Sequence, residues 1–304
     1  METINKITTS KQTTMYDHLC KMIIGNEEVL SRIIKAAVDE ANHLNVEEIR
    51  RLIKGVHIGD LIVNPHFHLV DKKGFIKDEG MVYYDILCYI DVPQEDGKNI
   101  RVYLNVEIQN NPYPGYSIIT RGYAYVSRIV SEQWGSEYDD KNYDGMKKVY
   151  SLWIMPKAPK RKDGHMNVYE TNERIICGTT VEEKEIYDKG VILAIYLNKE
   201  HDELLTPLMV LLNNVLDYKG KQRIIEEYGL NTKKIESEVK DMCDLGESIA
   251  LEARNEGKQI ERKEKNIAHV KKLMIGLQMS FKEAINLLEI PEKEVKEIEK
   301  YFQS

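Results

Sequence analysis

From Glu27 to His43 apolar residues recur at helical spacing, with Val29, Leu30, Ile33, Ile34, Ala37, Val38 and Ala41 on one stripe. The period predicts an amphipathic helix with a face to bury. Asn45 followed by Glu48 is the pattern of a capping box, which opens a second predicted helix that Gly55 ends. After a loop containing Asn64, Pro65 and Gly74, the period drops from near four to two and strands are expected. VYYDILCYID, from Val82 to Asp91, is rich in aromatic and β-branched residues and places Tyr83, Asp85, Leu87 and Tyr89 on one face. The turn PQEDGKN leads into IRVYLNVEIQ, where Ile100, Val102, Leu104, Val106 and Ile108 alternate with Arg101, Tyr103, Asn105, Glu107 and Gln109. The two segments predict an antiparallel hairpin.

NPYPGY interrupts regular structure, and Ser117 to Trp134 then reads as a helix. Strands are predicted at Val149–Met155, around Val168–Ile176 and at Val191–Leu197, followed by a helix through Leu204–Leu216. Beyond Asp217 strand signals vanish and the chain becomes charged and helical, with a second capping box at Ser280–Glu283 and Pro291 at a helix start. These shifts divide the chain into a tail over residues 1–25, a mixed α/β core over 26–217 and a helical C-terminal extension over 218–304.

Composition narrows the function classes. No stretch approaches the roughly 18 apolar residues of a membrane span, and the first twenty residues lack the apolar core of a secretory signal, so a cytoplasmic protein is expected. Cys20, Cys88, Cys177 and Cys243 form no CxxC pair, which predicts reduced, mostly buried thiols. A net charge of −7 counts against a surface that coats nucleic acid non-specifically, while leaving room for a small basic cleft.

The candidate chemistry sits on the hairpin. Glu107 and Gln109, two residues apart on one strand, project from the same face about 6.7 Å apart, and Asp85 lies on the preceding strand about 4.8 Å away. A carboxylate on each of two adjacent strands can converge on one divalent cation, and oxygen ligands suit Mg²⁺ or Mn²⁺. Acids inside apolar strands are costly unless paired or metal-bound. On the following helix, Arg121, Tyr125 and Arg128 share a stripe, the two guanidiniums about 10.5 Å apart along the axis, which can contact successive phosphates or stack on a base. Ile119, Val126 and Val130 occupy another stripe that can face the sheet. His66 and His68, with His57 upstream, read as surface histidines. Lys157, Lys160, Arg161 and Lys162 form one compact basic loop, readable equally as phosphate contacts or as a solvated turn.

DILCYI, then LNVEIQNNPYPGYSIITRGYAYVSRIVSEQWG, then YDGMKKVYSLWIM resembles the PD-(D/E)XK nuclease superfamily, and more narrowly the bacterial PD-(D/E)XK nuclease family transposases related to recombination-promoting nucleases; SEVKDMCDLGESI is similar to the region after their core. The resemblance covers roughly residues 27–257. It implies a restriction-endonuclease-like core, a central mixed sheet flanked by helices, acting as a Mg²⁺- or Mn²⁺-dependent DNA endonuclease. Asp85 and Glu107 match the metal-binding acids. Gln109 stands where the superfamily usually has lysine, so a neutral amide replaces a cation. A further carboxylate from the first core helix is implied, for which Glu40, Asp39 and Glu28 compete, with Glu40 the candidate. The rival reading is a weakly active or inactive DNA-binding or protein-interaction module on the same fold, and a third is a helical adaptor forming homo-oligomers through residues 217–304.

Overall fold

A computed structural model describes residues 14–61, 84–111, 113–197, 206–212, 217–230 and 232–303. The chain divides into two compact units, Met1–Cys243 and Asp244–Ser304. Tyr218 therefore lies inside the first unit, because the helices that follow it carry buried residues such as Ile225, Ile235, Val239 and Met242.

The first unit is built on a six-stranded mixed sheet flanked by helices. Its strands are β1 (Ile53–Leu61), β2 (Tyr84–Pro93), β3 (Asn99–Ile108), β4 (Lys148–Met155), β5 (Met166–Tyr169) and β6 (Gly190–Tyr196), in the order β1-β2-β3-β4-β6-β5. β1, β2 and β3 pair antiparallel, β3, β4 and β6 pair parallel, and β5 closes the far edge antiparallel to β6. The predicted hairpin is β2–β3. β1 was not expected: the second helix, α3 (Val46–Leu52), keeps its capping box but stops at Ile53, and Gly55 lies within a strand at φ +60° rather than ending a helix. The pairing of β1 with β2 shifts register twice, which erases the period-two signal a regular strand would show.

The first predicted helix is shorter than its periodicity suggests. α2 (Glu27–Ala37) ends at Val38, whose backbone is extended, and Asp39–Ala41 form a separate 3₁₀ turn. The expected strand at Val168–Ile176 narrows to β5; Ile175 and Ile176 beyond it are exposed. The segments α5 (Lys184–Tyr187) and α6 (Thr206–Leu211) precede and follow β6.

The central strands are buried on both faces, as strands within a parallel arrangement are. One face carries Leu87, Tyr103, Val149, Trp153, Ile192 and Ala194 and is covered by α4 (Ile118–Glu132), which contributes Tyr125, Val126 and Ile129. Close approach depends on Gly122: a Cβ there would lie 2.8 Å from Ile192 Cγ2 and 3.1 Å from Trp153 Nε1. The other face presents Ile86, Ile90, Leu104, Val106, Leu152 and Leu193, all buried. Within the expected N-terminal tail, residues 14–24 form a helix, α1, that buries Tyr16, Leu19, Cys20, Ile23 and Ile24. α7 (Tyr218–Glu227) and the start of α8 (Lys233–Gly276) complete this unit.

The second unit contains the remainder of α8 with α9 (Phe281–Leu287) and α10 (Glu292–Gln303), packed through Val270, Ala284, Ile285, Ile290 and Ile298. Both capping-box residues at Ser280 and Glu283 act as the sequence predicts. Among the described residues, no helix is long and apolar enough to cross a membrane. All four cysteines are free thiols, and all but Cys177 are buried. His66 and His68 lie outside the described residues, as do Asn64, Pro65 and Gly74.

Candidate functional site

The backbone pairing of β2 with β3 runs from Pro93 opposite Asn99 to Ile86 opposite Val106. One residue further, side chains take over from the backbone. The Asp85 N–H donates to Glu107 Oε1 at 3.0 Å, and the Ile108 N–H donates to Asp85 Oδ2 at 2.9 Å. This reciprocal exchange makes the two carboxyl groups cross-strand neighbours at the open end of the ladder, as the period-two reading expected of their faces.

A buried polar chain orients Glu107 from below. Trp153 Nε1–H donates to Ser151 Oγ at 3.0 Å, Ser151 donates to Asn105 Oδ1 at 3.0 Å, and the Asn105 amide donates to Glu107 Oε1 at 2.8 Å. Asn105 and Ser151 are fully buried and Glu107 is 4% exposed. Oε1 thus accepts two hydrogen bonds, while Oε2 has no donor among the described residues. Burial pushes the Glu107 carboxylic acid up to about 8, with the Asp85 charge acting in the same direction. Asp85 is raised too, chiefly by burial, against the opposing pull of the Ile108 N–H and of Lys21.

Lys21 was not anticipated. It projects from α1, and its ammonium lies 2.8 Å from Asp85 Oδ1 and 3.1 Å from Asp17 Oδ2. Burial alone would lower its pKa, but the bonds to Asp85 and Asp17 outweigh that and raise it. Asp17 also accepts from the Asn110 amide at 3.1 Å, which ties α1 to the end of β3. The signal was present in the sequence: Tyr16, Leu19, Cys20, Ile23 and Ile24 have helical spacing, and Asp17 and Lys21 form an i,i+4 pair on the same helix.

The remaining candidates separate. The Gln109 amide donates to the Asn111 carbonyl at 2.6 Å, and its N–H pairs with Ile154 across to β4. Arg121 and Tyr125 lie on the sheet side of α4, since Tyr125 is 6% exposed and packs edge-on against Tyr84 and Trp153. Arg121 donates to the Tyr125 hydroxyl at 2.6 Å and to the Tyr116 hydroxyl at 2.7 Å, its guanidinium over the Trp153 ring, and its charge acts on Glu107. Arg128, two turns along, acts on Glu132 and Tyr84. Val126 is buried as the sequence suggested, whereas Ile119 and Val130 are half-buried; Gln133, just after α4, is fully buried and holds both backbone groups of Lys147.

Glu40 is not brought to this pair. Its carboxylate accepts from the Tyr150 hydroxyl at 2.7 Å and meets Lys148 at 3.0 Å. Lys148 opens β4 opposite Val102, whereas Ile154 lies opposite Ile108 beside the acidic pair. Six residues of strand, about 20 Å, separate the two places. Of the competing acids, Glu28 pairs with Arg50 across α2 and α3, and Asp39 acts on Tyr150, in the Glu40 region. The helix-borne carboxylate that shares a contact with Asp85 among the described residues is Asp17, through Lys21. In the basic loop, Lys162 donates to the Tyr196 hydroxyl at 2.8 Å and Lys157 lies over the Tyr16 ring.

Among the described residues, no three His, Cys, Asp or Glu side chains are grouped as a ready metal cage. Two carboxylates are what the site offers, and Mg²⁺ is commonly held by one or two with water in the other positions. No family model matches the chain, and neither the curated proteins nor the solved structures contain a match to it.

Proposed function

We propose that the chain is a Mg²⁺- or Mn²⁺-dependent DNA endonuclease on a restriction-endonuclease-like core, of the PD-(D/E)XK transposase-like type. The observation that carries this reading is the reciprocal bonding of Asp85 and Glu107 at the end of the β2–β3 ladder, with Glu107 Oε2 left without a donor among the described residues. An antiparallel hairpin followed by the β3–α4–β4 crossover is also the element order that the resemblance leads one to expect. Asp85 and Glu107 would hold the cation, which when bound polarises a phosphodiester and activates water. Their all-oxygen donor set suits a hard ion.

The chain's own residues supply the rest. Asn105 and Ser151 fix the Glu107 rotamer, so the carboxylate is oriented before substrate arrives. Lys21 provides a cation beside Asp85 where the resembled pattern would carry lysine at position 109, and an ammonium there offsets charge developing on a phosphate. Gln109 then has a supporting role through its bond to Asn111. Arg121 and Arg128 would meet the DNA backbone along the edge of α4, with Tyr125 setting the position of Arg121.

The test is plasmid nicking with Mn²⁺ alongside calorimetric Mn²⁺ titration. Asp85→Ala and Glu107→Ala are expected to abolish cleavage in folded protein, and Asp85→Asn to remove Mn²⁺ binding. Equal cleavage by wild type and both alanine variants would overturn the reading. A second reading is favoured by one observation: Asp85 already has a donor on each oxygen, Lys21 and the Ile108 N–H. On that reading the cluster is a closed polar joint in a non-catalytic DNA-binding or protein-interaction module. It predicts no Mn²⁺ heat, together with unchanged partner affinity in Asp85→Asn.

A further inference from the structure

We infer that the basic loop between β4 and β5 is the track for the DNA strand that runs past the acidic pair, with Lys157, Lys160 and Arg161 as its phosphate contacts. The inference rests on the nuclease reading for the identity of the polyanion and on the fold for its place. β3, β4 and β6 are parallel, so their last residues share one edge of the sheet, with Ile108 opposite Ile154 and Met155 opposite Tyr196. Asp85 and Glu107 stand at that edge, where the β2–β3 ladder ends. Lys157 comes two residues after the end of β4, one strand over, a lateral step of about 4.8 Å.

The loop then spans the end of β6 to reach β5 on its far side. It is pinned there: Lys162 donates to the Tyr196 hydroxyl at 2.8 Å, and the Tyr196 N–H donates to the His165 carbonyl at 2.9 Å. Acids on β2 and β3 are thus followed by cations beyond β4 and β6, over about 14 Å of sheet edge. Helix α1 joins the two parts. The Lys157 ammonium lies 5.8 Å from the centre of the Tyr16 ring, and the next residue, Asp17, shares Lys21 with Asp85. The Lys157 charge also reaches Cys20, the neighbour of Lys21.

Lys157, Lys160 and Arg161 are exposed, and none of them is in an ion pair among the described residues. Their backbone is fixed, since the Lys162 N–H donates to the Pro159 carbonyl at 2.7 Å and the His165 N–H to the Lys162 carbonyl at 3.1 Å, closing a 3₁₀ turn over Lys160–Lys162. Charges held in place cost less to order on binding. They are also strung out, because Pro159 is extended and lets Lys157 and Lys160 stand up to about 10 Å apart along the chain. Cations that converge select a single anion, whereas a row selects a chain of them, and each strand of duplex DNA presents one phosphate per about 3.4 Å of axis. In a chain of net charge −7, such a row confines binding to one place.

The experiment is fluorescence anisotropy of a short labelled DNA duplex with the full chain in EDTA, across salt concentration, alongside plasmid nicking and Mn²⁺ calorimetry. The triple variant Lys157→Ala, Lys160→Ala, Arg161→Ala is expected to bind the duplex at least about tenfold more weakly, and its slope of log affinity against log salt should be smaller by about 2–3. The double variant Lys160→Ala, Arg161→Ala spares the Tyr16 contact and should lower the slope by about 2. Unfolding midpoints and Mn²⁺ titration should match wild type in both, and Lys271→Ala with Lys272→Ala, exposed on α8, should bind DNA as wild type does. No duplex binding by wild type, an unchanged slope in both loop variants, an equal loss in the α8 control, or tighter loop-dependent binding to anionic lipid vesicles than to the duplex would each overturn the proposal. Loop-dependent binding without nicking leaves the track standing and removes the nuclease reading. Nicking that Asp85→Ala abolishes, with DNA binding indifferent to the loop, does the reverse.

Discussion

Two acid–lysine clusters occupy opposite ends of the same parallel strands, and they differ in how their carboxylates are satisfied. At the start of β4, Glu40 meets Lys148 with one oxygen and the Tyr150 hydroxyl with the other, while Asp188, 1% exposed, meets Lys148 at 2.7 Å and accepts from the Thr171 N–H. Lys184 adds a second cation beside Asp188 at 3.8 Å. At the end of β3, one lysine serves Asp17 and Asp85, and Glu107 receives only neutral donors on one of its two oxygens. A buried carboxylate with no cation in contact stays costly in its charged form, and the Arg121 charge only partly offsets this at Glu107. The first cluster is an ion-pair network that ties the 3₁₀ turn to β4. The second retains a demand for positive charge, and this makes it the better place to look for chemistry.

Removing the shared lysine of the clamp should have the largest effect. Lys148→Met takes the common partner from Glu40 and Asp188, leaving Lys184 at 3.8 Å from Asp188, and a loss of roughly 3–5 kcal/mol in denaturant unfolding is expected.

Glu132 provides a third case, a carboxylate on α4 whose Oε2 is buried without a hydrogen-bond partner. Burial raises it to about 7, with Arg128 acting against the rise. The unfolded chain releases this proton near pH 4.5 whereas the folded chain keeps it to about pH 7, so the folded state binds more protons between those values. Stability attributable to Glu132 should therefore fall as pH rises from about 4.5 to about 7 and level off above. Glu132→Gln should remove that slope and gain on the order of 2 kcal/mol at pH 8 relative to pH 4, read from unfolding midpoints across pH.

Lys21→Met should cost less than Lys148→Met, about 1–2 kcal/mol, because Asp85 keeps the Ile108 N–H and can take up a proton. A cost equal to that of Lys148→Met would erase the distinction between the two clusters. The smallest effect is expected for Tyr150→Phe, which deletes one hydrogen bond to Glu40 while Lys148 remains, at about 1 kcal/mol.

Local signals in the sequence carried the elements around the acidic pair. The alternation through β2 and β3 depends only on strand geometry, so it placed Asp85 and Glu107 on converging faces without knowledge of the rest of the fold. Capping boxes at Asn45–Glu48 and Ser280–Glu283 are contacts within four residues and were equally legible. Helical periodicity says that Arg121, Tyr125 and Arg128 share a stripe, but not that Tyr125 is buried against Trp153; Gly122, which permits the close docking of α4, lies on the neighbouring strip.

By itself, then, the sequence determined the mixed α/β character, the hairpin, α4 and the pairing of Asp85 with Glu107, because each follows from repeats of two or about 3.6 residues along one segment. Tertiary structure alone decided which distant side chains meet them. Glu40 and Lys21 are both charged residues on early helical segments, and nothing in their local spacing says which end of a strand they reach. That choice is made by where the apolar faces of α1 and α2 dock on the sheet, which delivers Lys21 to Asp85 and sends Glu40 about 20 Å away to Lys148.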